Sequence, residues 1–198
     1  MQIAHDLWLA RWLELLRPAA AGKPVLELTC DKGQDTQWLL KHGLSVVATD
    51  LALEPLQSAR RSAPDALFLR HDLRTPLPFG TASFGVVVAS LCLHYFDAAT
   101  TAFAIAEIRR CLVPGGVLFC RVNSDKDVLH GAGAGEEIEP GYFRQSAHYA
   151  ECKRFFSAGD LNRFFPGADW HTVNREELTV LRYHAPKIAW ELVLRSSV

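Results

Sequence analysis

Val25-Leu26-Glu27-Leu28-Thr29-Cys30-Asp31-Lys32-Gly33 is the stretch on which the fold turns. A short apolar run, Pro24–Thr29, reads as a strand. It ends in an acid-bearing turn and passes into Gln34–His42. There Trp38, Leu39 and Leu40 follow a helical pattern that Gly43 closes. Strand, tight turn and helix in this order put a helix N-terminus at the carboxyl end of a strand. An open α/β sheet holds its ligand at such a place.

Outward from this unit the alternation repeats. Ser45–Thr49 and Ala66–Arg70 read as strands around a helix at Leu53–Arg61. A loop with Pro76, Pro78 and Gly80 leads to Phe84–Ala89, apolar throughout as expected of a strand buried on both faces. Ala99–Cys111 reads as a helix, Pro114-Gly115-Gly116 as a turn and Val117–Val122 as a fifth strand. Ser157–Phe165 is a further helix that Ser157 can cap. Trp170–Val180 and Lys187–Arg195 are two late strands. The pattern predicts one doubly wound α/β domain over residues 1–198, with no interdomain linker. Residues 1–22 form an N-terminal helix, with Trp8, Trp12, Leu15 and Leu16 on one stripe. Residues 125–145 are polar and carry Gly131, Gly133 and Gly135. They read either as a lid or as an ordinary connection, and not as a phosphate loop, since no helix clearly begins there.

Composition narrows the partners. An apolar share of 49% suits a packed globule. Lys plus Arg number 21 against 22 for Asp plus Glu, so no global field recruits nucleic acid or anionic lipid. A local patch between Arg144 and Arg163 stays open. Five cysteines with no Cys-x-x-Cys spacing read as free thiols in a reducing, cytoplasmic setting. No apolar run reaches bilayer length, and Asp6, Arg11 and Glu14 break any leader-like stretch. The histidines are scattered and predict no metal site.

The candidate site residues follow the strands. Glu27, Thr29, Asp31 and Gly33 belong to the first turn. Asp50 and Leu51 follow the second strand, where a carboxylate can accept both hydroxyls of a ribose. Asp72 and Leu73 follow the third, with Asp72 able to accept from an adenine amine. Ser90 and Leu91 close the fourth, and His94 and Tyr95 come next as candidates for substrate contact or general base. His71 reads as structural. Cys30 and Cys92 read as packing residues.

These residues resemble class I S-adenosylmethionine (SAM)-dependent methyltransferases. The resemblance covers roughly Val25–Val122. Glu27 matches the family's strand-end acid, Gly33 the last of three alternate glycines, Asp50 the ribose-binding acid, and Asp72-Leu73 the adenine-side segment. Leu112-Val113-Pro114-Gly115-Gly116 matches the turn before the fifth strand. Gly33–Thr36 with Trp38-Leu39, and Leu93-His94-Tyr95-Phe96, look like small bacterial members, including tellurite and thiopurine methyltransferase relatives. Trp190–Val193 is similar to the last strand, which in the family runs antiparallel in a seven-stranded sheet. Thr29 and Asp31 stand where the family has glycine. The resemblance implies SAM as cofactor and in-line methyl transfer to a small-molecule acceptor. Nucleic-acid and membrane partners are not expected, and the oligomeric state is open. The alternative is a non-catalytic SAM- or product-binding or partner-binding protein on the same fold, which the two missing glycines raise.

Overall fold

The structure is a computed structural model, and it describes residues 6–145, 152–181 and 183–197. Five parallel strands come first: β1 (Val25–Leu28), β2 (Val46–Asp50), β3 (Leu67–Arg70), β4 (Phe84–Ser90) and β5 (Leu112–Asn123). A small antiparallel sheet follows, from β6 (Glu136–Glu139), β7 (Tyr142–Arg144) and β8 (Cys152–Arg154). The last two strands are β9 (Trp170–Val180) and β10 (Lys187–Ser196). The main sheet has seven strands in the order β3-β2-β1-β4-β5-β10-β9. Only β10 runs against its neighbours, β5 and β9. The order reverses between β1 and β4, which pair in parallel, so the ligand crevice lies above their carboxyl ends.

Helices cover both faces. One core cluster joins β1, β4 and β5 to α4 (Ala98–Cys111) and α5 (Ala158–Phe164). The other joins them to α1 (Leu13–Ala20), α2 (Gln34–Lys41) and α3 (Leu53–Ser62). Burial on two faces explains the near-continuous apolar run of β4. α5 opens with a capping box, in which the Ser157 and Asp160 side chains each accept from the other's backbone N–H.

Three sequence expectations are corrected. The strand expected at Val117–Val122 begins at Leu112, and the Pro114–Gly116 turn sits inside it as an irregularity, between the Phe84 and Val86 registers. The N-terminal helix opens as a 3-10 turn over Trp8–Trp12, before α1. Residues 125–145 are not an irregular loop. A 3-10 turn spans Val128–His130, and β6 and β7 pair next to β8. Such short strands with acidic Glu136, Glu137 and Glu139 carry no alternation from which to read them. This small sheet is bolted to the main body. The fully buried Arg154 guanidinium donates to the Phe96 carbonyl at 3.3 Å and the Pro140 carbonyl at 3.1 Å, and pairs with Glu139. Glu139 also accepts from the Ala98 N–H, and the Tyr142 hydroxyl donates to the Tyr95 carbonyl at 3.2 Å.

Candidate functional site

The turn after β1 keeps a left-handed backbone at alternate residues without the glycines. φ is +56° at Thr29, +47° at Asp31 and +76° at Gly33. A non-glycine residue there costs roughly 1–2 kcal/mol, somewhat less for Asp. The surrounding bonds over-determine the loop and hold that strain. The Cys30 N–H donates to the Thr49 carbonyl at 2.9 Å, and the Asp31 N–H to Asp50 Oδ2 at 3.0 Å. The Thr29 side chain bonds the Cys92 thiol, which burial pushes up to about 12. Gly33 has no substitute, because a Cβ there would stand 2.9 Å from Ala59 Cβ.

Two acids anchor the cradle. Asp50 is buried at the end of β2. One of its oxygens takes the Asp31 N–H and the other takes the Ala52 N–H at 2.8 Å. Each oxygen keeps a lone pair directed elsewhere, so the carboxylate can still receive hydroxyl donors. Glu27 lies buried beneath the turn and accepts from the Thr36 hydroxyl at 2.5 Å. Burial, then the Asp35 carboxylate, pushes the Glu27 carboxyl well above the usual range. The Thr36 bond opposes this, and Asp50 adds to it. Asp35 in turn accepts from Trp8 Nε1 at 2.9 Å, which seats the N-terminal segment against the start of α2. A small cavity of about 60 Å³ lies between Glu27, Asp31, Gln34 and Ser90.

A larger cavity of about 450 Å³ opens next to it, over β2 and β3. Thr29, Leu51, Asp72, Leu73, Tyr95 and Tyr142 are among its walls. Leu51 offers an exposed apolar face, whereas Leu73 is buried. Asp72 is also a turn former. Its carboxylate accepts from the Arg74 backbone N–H at 3.0 Å and grips the Arg74 guanidinium, closest at 2.6 Å. Those Arg74 side-chain hydrogen bonds hold its pKa below the usual value. Leu91 has φ +54° and donates its N–H to the Arg121 carbonyl at 2.8 Å, so it shapes the exit of β4 through its backbone. A cavity of about 500 Å³ lies at the opposite, amino end of the sheet between Ile105, Arg109 and Trp170, remote from every one of these groups.

His94 and Tyr95 part company. Their rings touch, with centroids 4.2 Å apart. Tyr95 lines the large cavity. His94 is buried with no partner on Nδ1, and burial, then the Lys187 and Lys153 charges, pulls its pKa well down. The imidazole is therefore held neutral, and the same burial and charges oppose its protonation.

The sequence reading missed a buried ion pair next to Ser90. Arg121 stands beside Ser90 on one side and Glu191 on the other in the strand register. Its guanidinium pairs with Glu191 at 2.7 Å and with Asp6, and it lies 4.6 Å from the Trp8 ring centroid. Glu191 also accepts from Trp12 Nε1 at 2.9 Å and pairs with Arg11 at 2.5 Å. Charged residues inside the strands Val117–Val122 and Lys187–Arg195 were the available clue, since buried charges are rare unless paired.

Known proteins resemble this chain in sequence and in fold. Residues 26–120 match the methyltransferase domain family. An uncharacterised methyltransferase of Synechocystis sp. is 35% identical over 96 residues, 48% of this chain and 45% of that protein. A demethylmenaquinone methyltransferase of Renibacterium salmoninarum is 34% identical over 111 residues, 54% of this chain and 46% of its own length. The matches thus span under half of these curated relatives. A SAM-dependent methyltransferase from Methanosarcina mazei superposes with a TM-score of 0.78 at 17% identity, over 93% of this chain and 97% of its own. Strand order and this superposition show that the chain has the fold of a SAM-dependent methyltransferase, and residues 26–120, just under half of it, are similar to the methyltransferase domain family.

Proposed function

We propose that this protein is an enzyme that binds SAM across the β1–β4 crevice and transfers its methyl group to a small molecule. The observation that carries this reading is the turn after β1. It retains the three alternate left-handed residues and hangs on Asp50 although two glycines are replaced. A chain that had abandoned the cofactor would have no reason to hold Thr29 and Asp31 in a costly conformation. In this reading Asp50 takes the ribose hydroxyls and Glu27 faces the methionine ammonium. Leu51, Asp72 and Leu73 flank the adenine, and Ser90 and Leu91 border the methionine arm. One relative is named for a small-molecule acceptor, demethylmenaquinone, and supports that size class. The chemistry asks the chain mainly to align acceptor and sulfonium in line and to exclude water. Tyr95, on the wall of the large cavity, is the residue placed to meet the acceptor, whereas burial and two lysine charges oppose protonation of His94. The test is calorimetry with SAM and with its product S-adenosylhomocysteine (SAH). Micromolar binding is expected. No heat and no protection at millimolar ligand would remove the enzyme reading.

Glu27 adds a pH signature with a definite sign. In the folded, unliganded chain it keeps its proton where an unfolded glutamate has lost it. Stability therefore falls as pH rises through the window from about 4.3 up to the raised value. A bound ammonium favours the carboxylate, so affinity rises with pH and binding releases a proton. SAH titrations in two buffers of different ionisation enthalpy are expected to give different heats. Glu27→Gln is expected to remove the difference, weaken SAH, and raise Tm at pH 8 more than at pH 5. Identical heats in both buffers would show that Glu27 does not titrate on binding.

A further inference from the structure

The cavity at the amino end of the main sheet has no part in the cofactor cradle. Its volume of about 500 Å³ is within the range of spaces that hold small ligands. α4 forms one wall through Ile105 and Arg109, and the last turn of α5 forms another through Arg163 and Phe164. Leu112 at the start of β5 and Trp170 at the start of β9 complete it. Ile105, Leu112, Phe164 and Trp170 are all buried, which gives the space an apolar floor. The turn between α5 and β9 is tied down. The Asp169 and Trp170 N–H groups both donate to the Pro166 carbonyl, at 2.9 and 3.0 Å, and the Asp169 carbonyl accepts from the Ser197 N–H at 2.9 Å. The cavity is thus built from packed elements.

Three arginines line this apolar space, and one of them is engaged. Arg110 donates to Glu107, closest at 2.7 Å, and to the Leu77 and Phe79 carbonyls at 3.0 and 2.8 Å. Arg109 and Arg163 differ from it. Both side chains are partly exposed. Arg109 meets Asp169 at 3.2 Å, and Arg163 meets Asp160 at 3.6 Å, beyond hydrogen-bond length. Asp160 is committed elsewhere, to the Ser157 N–H and hydroxyl in the cap of α5. Among the described residues neither guanidinium has a hydrogen-bond partner beyond these acids, and Arg109 Nε is buried without one. The Arg163 guanidinium lies 4.5 Å from the Phe164 ring centroid, which holds it beside the cavity wall. A guanidinium presents a planar fork of N–H donors that matches the two oxygens of a carboxylate. Such donors next to an apolar floor complement an acid with an apolar body. The Asp169 carboxylate beside Arg109 disfavours a doubly charged phosphate.

We propose that this cavity is a second small-molecule site, separate from the site of methyl transfer, and that it takes a monocarboxylate with an apolar body. Arg109 and Arg163 receive the carboxylate, and the body lies over Ile105, Leu112, Phe164 and Trp170. The proposal does not depend on the methyltransferase reading, because the cavity lies at the opposite end of the sheet from the β1–β4 crevice.

The test pairs each acid with a neutral molecule of matched shape: octanoate with 1-octanol, and 2-naphthoate with 2-naphthol. Binding is read by calorimetry and by NMR shifts of the Ile105 methyls and the Trp170 indole N–H, with and without saturating SAH. At least one acid is expected to bind with Kd below about 1 mM, and about tenfold or more tighter than its neutral partner. It should move the Ile105 and Trp170 signals and keep its affinity in the presence of SAH. Replacing both arginines, Arg109→Gln with Arg163→Gln, should erase the preference for the acid. Ala106→Trp, at an exposed position on the α4 wall, should block acid and neutral molecule alike. Equal affinity within both pairs, a preference that survives the double substitution, or displacement of the acid by SAH would overturn the proposal. Self-association that the double substitution abolishes, with no acid bound, would assign this face to a second copy of the chain and overturn it too. The unaltered protein decides the comparison of acid with neutral molecule, and the competition with SAH, even if a variant does not fold. Absence of SAH binding would count against the cofactor reading and leave that comparison to decide this one.

Discussion

Replacing Gly85 by alanine is expected to cost about 3 kcal/mol of stability, at the upper end of overpacking penalties. Gly85 lies on β4 where α1 crosses the sheet. A Cβ there would stand 2.1 Å from the Ala19 carbonyl oxygen, 2.8 Å from that of Ala20 and 3.0 Å from Ala20 Cα. All three are backbone atoms, so no rotamer change relieves the contact, and α1 must move as a body. Pro18 inside α1 and Leu16 buried against the sheet oppose that movement. For a chain of this size the loss corresponds to a fall in Tm of roughly 6–12 °C. Gly167→Ala is the control, because nothing lies within 4 Å of its added carbon. The same displacement would pull Trp8 from Asp35, so cofactor affinity should fall along with stability. A change in Tm like that of Gly167→Ala would mean that α1 slides freely on β4.

Asp50→Ala is expected to weaken SAM and SAH binding by about 1–3 kcal/mol, roughly ten- to a hundredfold. Two losses combine. In the proposed reading the ribose loses its charged acceptor, and the Asp31 and Ala52 N–H groups lose theirs. The second loss frees the strained turn, which then relaxes away from its left-handed backbone. Asp50→Asn separates the two. It restores one acceptor oxygen without the charge, so affinity should lie between the native protein and the alanine variant, with most of the stability regained. Calorimetry and thermal unfolding of the three proteins check this. Unchanged affinity in Asp50→Ala would place the ribose elsewhere.

Much of the frame was legible from local patterns. Strand and helix periods needed only neighbouring residues, and so did the acids at strand ends. Glu27, Asp50 and Asp72 were therefore found where the sheet ends them. The two late strands were read correctly as strands, with β10 antiparallel as the resemblance implied. The β6–β8 sheet was not legible. Its pairing depends on Arg154 reaching Phe96 and Glu139 reaching Ala98, contacts that no short window contains.

The sequence by itself determined the doubly wound fold and where its strand-end acids stand, because hydrophobic period and strand-end chemistry are properties of adjacent residues. Only the tertiary structure decided that the turn after β1 keeps its left-handed backbone without its glycines. A left-handed backbone costs Thr29, and to a lesser degree Asp31. They adopt it because Asp50, Thr49 and Cys92, each from another strand or its exit, hold the loop shut. The tertiary structure likewise buried His94 while leaving Tyr95 on the cavity wall, and joined Arg121 to Glu191 across 70 residues. Burial and charge pairing are set by what folds against a residue, and that partner is rarely its neighbour in the chain.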